Sequence, residues 1–65
     1  MKFERIHTLR IEHNLSQAEV ANILNIKQRS YSHYETGSRA IPIETLIALC
    51  DYYDVTLDYI VGRSD

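Results

Sequence analysis

Residues 15–37 read LSQAEVANILNIKQRSYSHYETG, and they carry the clearest signals of helix boundaries in the chain. It begins with a capping box, S-Q-A-E at residues 16–19, in which the serine hydroxyl accepts from a free amide of the first turn and the glutamate reaches back to the serine backbone. Asn25 tolerates the left-handed conformation that ends a helix, and Gly37 stands where a helix-ending glycine is expected. The stretch therefore predicts two short helices joined by a tight turn, the second over about residues 28–36.

A small residue, Ala21, lies where these two helices should cross. A close and steep crossing needs a small side chain there, because a larger one would push the helices apart. Apolar side chains should seal the joint from both helices and the turn: Val20, Leu24, Ile26 and Tyr31. Tyr34 is also predicted to point inward from the second of these helices. Such a joint lets the second helix project from the body of the domain, and a DNA major groove about 12 Å wide admits a helix.

Helical periodicity continues on both sides of this stretch. Upstream, residues 2–13 carry an apolar stripe at i, i+3 spacing. Downstream, Pro42 has the φ of a first helical residue, and the side chains after it follow the spacing of an inner helix face: Ile43, Leu46, Ile47, Cys50 and Tyr53. Thr56 is placed to cap a last short helix. We predict an all-α fold, one compact domain of five helices spanning residues 1–65.

The chain of 65 residues has a single cysteine, Cys50, so a disulfide within it is excluded, and we expect this thiol to lie in the core. His7, His13 and His33 are too far apart in sequence for the paired spacing of a zinc site. We therefore expect no metal and no cofactor. The first residues do not form a signal peptide and no apolar run is long enough to span a membrane, which predicts a cytoplasmic protein.

Charge is distributed unevenly along the chain, although the net charge is only −2. Residues 1–40 hold six Lys and Arg against four Glu, whereas residues 41–65 hold one Arg against five Asp and Glu. A basic front and an acidic back suit a module that meets DNA with one face. An uneven solvated surface with no binding role is the alternative interpretation.

The whole pattern resembles the phage-repressor and Cro-type helix-turn-helix family, also called XRE-like. The S-Q-A-E start and the Y-E-T-G end of residues 15–37 carry the resemblance, together with the tail IPIETLIALCDYYDVTLDYIVG at residues 41–62. It covers about residues 3–62 and implies a lambda-repressor-like domain with its helix-turn-helix in helices 2 and 3. The family binds operator DNA as a dimer and represses transcription.

The resemblance assigns roles to individual residues. Gln28 matches a base-reading glutamine, and further base contacts are expected from Arg29, Ser32 and His33 on the same helix. Gln17 matches a glutamine that touches a DNA phosphate, and the other candidates for phosphate contacts are Lys27, Ser30 and Arg39. Arg10 and Glu35 match a structural ion pair between the first and third helices. The pairing is also expected because a helix C-terminus disfavours an anion such as Glu35.

Several positions depart from the family pattern, three of them in the helix-turn-helix and one in the loop at residues 40–42, where the proline is shifted by one residue. Lys27 stands where Ser or Thr usually caps the third helix, so we expect weaker capping there. Asn25 replaces the usual turn glycine, which its left-handed tolerance permits. Tyr31 replaces a branched aliphatic residue, so the core must make room for a ring.

We predict a sequence-specific DNA-binding transcriptional regulator, a repressor that binds double-stranded DNA at a palindromic operator as a homodimer. The expected dimer interface is the fifth helix with its flanks: Leu57, Tyr59 and Val61. No histidine or carboxylate set suggests an enzyme, and no small-molecule ligand or membrane partner is indicated. Two alternatives stay open, a protein-interaction module such as an antitoxin or antirepressor, and the DNA-binding fragment of a longer regulator.

Overall fold

The computed structural model describes residues 2–64, and within that range it contains helices and no strand. The all-α fold expected from the sequence is confirmed. In chain order the five helices are α1 (Glu4–Glu12), α2 (Gln17–Leu24), α3 (Gln28–Thr36), α4 (Ile43–Tyr53) and α5 (Leu57–Ile60). Met1 and Asp65 lie outside the described residues.

Local hydrogen bonds explain where α2 and α3 begin and end. The Ser16 hydroxyl accepts from the backbone amide of Glu19 at 3.0 Å, and the Glu19 carboxylate accepts from the amide of Ser16 at 2.9 Å, so the predicted capping box is present. Asn25 ends α2 with φ +58° and Gly37 ends α3 with φ +82°, both left-handed. Lys27 precedes α3 without any side-chain cap, as the departure from the family pattern predicts.

The core lies where the inner faces of the five helices meet. Tyr31 occupies it without any exposed surface, and Cys50 is buried as expected. The remaining buried apolar side chains are Ile6, Leu9, Val20, Ala21, Leu46, Leu49, Tyr53 and Ile60. Burial raises the pKa of Tyr53 to about 12 and raises the pKa of Tyr31 as well, so both rings are neutral members of the core.

The predicted inner face of α4 is partly wrong. Ile43 and Ile47 are 55% and 47% exposed, whereas Leu49, which the spacing did not select, is 1% exposed. Apolar residues occur on more than one side of this helix, so periodicity alone could not decide which side turns inward. The helix also begins one residue later than predicted, because Pro42 is its N-cap and Ile43 is the first helical residue. Tyr34, predicted to point inward, is half-buried.

Arg5 ties α1 to the end of the chain, a role that the sequence did not reveal. Its guanidinium donates to the backbone carbonyl of Tyr59 at 2.7 Å and to the carbonyl of Ser64. The same group lies over the Tyr59 ring, 4.2 Å from its centre. These contacts fix α5 and the segment after it against α1, because a charged donor satisfies one carbonyl in the last turn of α5 and another beyond its end.

Candidate nucleic-acid interface

The joint between α2 and α3 sets the position of α3. These two helices pack on each other more extensively than any other pair. The turn between them is closed by the amide of Ile26, which donates to the carbonyl of Ala21 at 2.9 Å. Ala21 itself is 2% exposed, which agrees with the need for a small side chain in a close joint. The turn thereby fixes the angle at which α3 leaves the body of the domain.

The two sides of α3 differ sharply in burial. Tyr31 and Glu35 are buried on the inner side. On the outer side Gln28 and Arg29 are exposed, and Ser32 is partly exposed one turn later. Because residues three and four apart lie on one face of a helix, this arrangement gives α3 one anchored face and one polar face open to solvent.

Five of the predicted DNA-contacting residues line one open hollow of about 470 Å³, which we call the α3 groove: Gln17, Gln28, Arg29, Ser32 and His33. Gln17 enters it from the first turn of α2, and the others come from α3. Amide, guanidinium, hydroxyl and imidazole groups together can donate and accept hydrogen bonds at base edges and phosphates. The structure thus brings the four predicted base-contacting side chains and one predicted phosphate contact into a single surface.

Arg10 and Glu35 form an ion pair behind this surface. Arg10 donates through Nε and Nη2 to the two carboxylate oxygens of Glu35, each at 2.9 Å, and through Nη1 to the carbonyl of Leu15 at 2.8 Å. Both side chains are shielded, at 12% and 5% exposure. Burial raises the pKa of Glu35 and is the largest single effect on it, but the combined hydrogen bonds and charges of the neighbouring groups, with Arg10 first among them, hold that pKa below its usual value. The pair therefore fixes the end of α3 to α1.

A second hollow of about 310 Å³, here called the α1 hollow, opens on the other side of Gln17. It reaches from the N-terminal segment across α1 to the end of α3. Its lining consists of Lys2, His7, Arg10, Gln17, Glu35 and Thr36. Gln17 is common to both hollows, so the two are adjoining parts of one surface.

The remaining predicted contact residues lie outside the α3 groove. Lys27 and Arg39 are exposed on either side of α3, and Ser30 is partly buried. Of the predicted dimer residues, Leu57 is 40% exposed, whereas Tyr59 and Val61 pack partly against the core.

Within residues 2–64 no helix is both long and apolar enough to cross a membrane. Over the same residues, no three His, Cys, Asp or Glu side chains are grouped closely enough to hold a metal ion.

Comparison with known proteins places the chain in a family. Residues 6–60 match the helix-turn-helix family. YobD, an uncharacterised HTH-type transcriptional regulator of Bacillus subtilis, is 37% identical over 65 residues, which are 100% of this chain and 58% of YobD. The cryptic phage CTXphi transcriptional repressor RstR of Vibrio cholerae is 34% identical over 94% of this chain and 55% of RstR.

A solved structure shows the same arrangement of helices. The crystal structure of a transcriptional regulator from Listeria innocua superposes with a TM-score of 0.86 at 32% identity, over 95% of this chain and 58% of the other. The chain thus spans a little over half the length of the proteins it matches here. The match to the family covers α2, α3 and the joint between them, together with most of the core. This chain belongs to the helix-turn-helix family.

Proposed function

We propose that this chain is a sequence-specific DNA-binding transcriptional regulator, a cytoplasmic repressor that acts by binding and not by catalysis; the DNA-binding fragment of a longer regulator is the alternative. The observation that carries the proposal is the α3 groove, where base-reading and phosphate-binding side chains meet on an exposed helix face. A helix with side chains is about 10–12 Å across, which matches the width of the major groove. The relatives named as a transcriptional regulator and a phage repressor support the same function.

Base reading is assigned to the outer face of α3. The Gln28 amide can pair with N6 and N7 of adenine, and the Arg29 guanidinium can pair with O6 and N7 of guanine or with a phosphate. Ser32 and His33 lie one turn further along the groove and reach neighbouring base edges or a thymine methyl. Sequence preference therefore resides in the four α3 side chains that line the groove.

Phosphate binding is assigned to the flanks of α3. Gln17 lies in the first turn of α2, where free backbone amides and the helix dipole favour an anion. Lys27, Ser30 and Arg39 extend these contacts along the backbone on the other sides of α3. These contacts are independent of sequence, so they supply affinity and register without specificity.

A symmetric dimer is part of the proposal, because a domain of this size with a net charge of −2 should bind a single half-site weakly. We assign the interface to α5 and its flanks, at Leu57, Tyr59 and Val61. Leu57 offers exposed apolar surface there, while the Arg5 guanidinium lies over the Tyr59 ring and holds it in place. A twofold dimer requires a palindromic operator with half-sites about one helical turn apart.

Two substitutions distinguish base reading from phosphate binding. Gln28→Ala should cost about 1–3 kcal/mol of binding free energy at one base position and relax the preference there. Gln17→Ala should weaken binding to operator and non-operator duplexes by the same factor. Both variants keep the core intact, so the measurement is the dissociation constant for a panel of duplexes with single base changes.

The same pair of variants separates DNA reading from a protein-interaction role. If both substitutions lower affinity uniformly, the assignment of Gln28 to base reading is wrong. If neither changes DNA affinity while a regulatory effect in cells persists, the α3 groove is not the functional surface. A module that acts as an antitoxin or antirepressor through its acidic rear face then becomes the better interpretation.

A further inference from the structure

The α1 hollow adjoins the surface assigned to DNA but has no role in the proposed function so far. Gln17 lines both it and the α3 groove. A duplex seated on α3 with a phosphate at Gln17 therefore brings its backbone to the mouth of the α1 hollow. The side chains around that mouth decide whether the backbone is attracted there.

The charge balance of the α1 hollow is positive. Among the described residues that line it, Glu35 is the only carboxylate, and that carboxylate is buried and already accepts two hydrogen bonds from Arg10. Lys2 is exposed and forms no ion pair with any residue in the described range. Lys2 and Arg10 thus place two positive charges against the single negative charge of Glu35. The hollow can accept an anion from solvent.

His7 lies where its protonated ring would add a further positive charge to the α1 hollow. Its side chain is 53% exposed, and its Nε2 atom lies 3.9 Å from Oε1 of Glu35. This distance is too long for a hydrogen bond, and the same oxygen already accepts from Nη2 of Arg10 at 2.9 Å. Within residues 2–64 the Nε2 atom of His7 thus makes no hydrogen bond, only a long ion-pair contact with Glu35 when the ring is protonated. Because half of its side chain is exposed, protonated His7 can also bind an anion that enters the hollow.

We propose that protonated His7 binds a backbone phosphate of duplex DNA at the α1 hollow, beside Lys2, so that affinity for DNA increases as the pH falls. This proposal rests on the proposed function. The charged groups that line the hollow with His7 are Lys2 from the N-terminal segment, Arg10 from α1 and Glu35 from α3, while Gln17 of α2 is neutral. Glu4 lies three positions before His7 on the same face of α1. Imidazoles change charge between about pH 5 and pH 8, and the protonated form adds one cation opposite the backbone.

The test compares dissociation constants for an operator and a non-operator duplex at about pH 5.5 and about pH 7.5, on either side of imidazole protonation. The wild type should bind both duplexes roughly threefold or more tightly at the lower pH, with a salt slope larger by about one per bound chain. His7→Gln should abolish the difference between the two pH values. His7→Lys should bind at the higher pH as tightly as the wild type binds at the lower pH.

His33→Gln is the matched control, because His33 is the other imidazole on the DNA-binding surface. This variant should retain the pH difference whatever it does to affinity, and circular dichroism at both pH values checks that all variants are folded. A pH difference that survives in His7→Gln and disappears in His33→Gln would overturn the proposal. So would a His7→Lys variant that gains nothing at the higher pH.

Free inorganic phosphate carries the same anionic group as the DNA backbone, and NMR distinguishes binding of the one from binding of the other. The His7 ring resonance should shift on addition of duplex and stay unmoved by inorganic phosphate at equal ionic strength. A saturable shift with inorganic phosphate alone would mean that the α1 hollow is a site for free anions and not a contact with the DNA backbone. Sequence-specific but pH-independent binding would reject only the role of His7, whereas absence of duplex binding at either pH would reject the proposed function itself.

Discussion

Arg10→Met is expected to lower the free energy of unfolding by about 3–5 kcal/mol, because it leaves the Glu35 carboxylate buried without its cation. Both carboxylate oxygens of Glu35 accept from Arg10 in the wild type, and the carbonyl of Leu15 loses its donor as well. A domain of this length is stable by about 3–10 kcal/mol. The variant should therefore lose most of its stability, as measured by urea denaturation followed by circular dichroism.

Two controls define the origin of this effect. Arg39→Met removes an exposed arginine that forms no ion pair with the described residues, and it should change stability by less than about 0.5 kcal/mol. The double variant Arg10→Met, Glu35→Leu replaces the pair with apolar side chains and should recover much of the loss. An Arg10→Met variant within about 1 kcal/mol of the wild type would mean that the pair contributes little.

The ion pair of Arg10 and Glu35 also makes the free energy of unfolding depend on pH. The folded state holds the pKa of Glu35 below its usual value despite burial. The stabilisation is therefore fully present above the unfolded-state pKa of about 4.3, and it is lost as the pH falls through the lower folded-state pKa. Glu35→Gln lacks this contribution. Its deficit in unfolding free energy relative to the wild type should be large near neutral pH and shrink in acid, and a deficit independent of pH would contradict the account.

Tyr31→Ala is expected to lower the free energy of unfolding by about 3–5 kcal/mol, because it leaves a cavity in the core. Tyr31 is among the largest fully buried side chains and stands on the inner face of the helix that carries the α3 groove. Loss of its ring removes the contact that seats α3 against the body. We expect the variant to be largely unfolded at room temperature, as measured by its helical circular dichroism and urea midpoint.

Tyr34 provides the matched control for Tyr31. It is the same residue type, three positions further along α3, but it is only half-buried. Tyr34→Ala should therefore lower the free energy of unfolding clearly less than Tyr31→Ala, because a partly exposed side chain makes fewer contacts that its removal can break. Equal costs for the two substitutions would show that burial of the Tyr31 ring does not anchor α3.

The parts of the fold that local chemistry determines could be predicted from the sequence. The capping box of Ser16 and Glu19 and the left-handed ends at Asn25 and Gly37 involve neighbours in the chain, so their residue types suffice. The inner face of α4 could not be chosen correctly, because Ile43 and Leu49 offer similar apolar surface on different sides of the helix. Only packing against the other helices decides between those sides.

Contacts between distant segments could not be predicted from the sequence either. Arg5 binds the carbonyl of Tyr59, which lies 54 positions away, and no local pattern marks such a contact. The approach of His7 to Glu35 likewise depends on how α1 crosses α3. The residues of the candidate site were named from family resemblance, but their meeting in one groove with Gln17 of α2 is a result of tertiary structure.

Selection from a random duplex library at low salt asks whether the α3 groove reads DNA sequence. We predict enrichment of a palindrome with half-sites about 10 base pairs apart. Binding to the selected duplex should fall steeply between about 50 and about 200 mM salt. Repeated selection with Gln28→Ala should relax one symmetric pair of positions. No enrichment, together with weak salt-sensitive binding to all duplexes alike, would contradict the account.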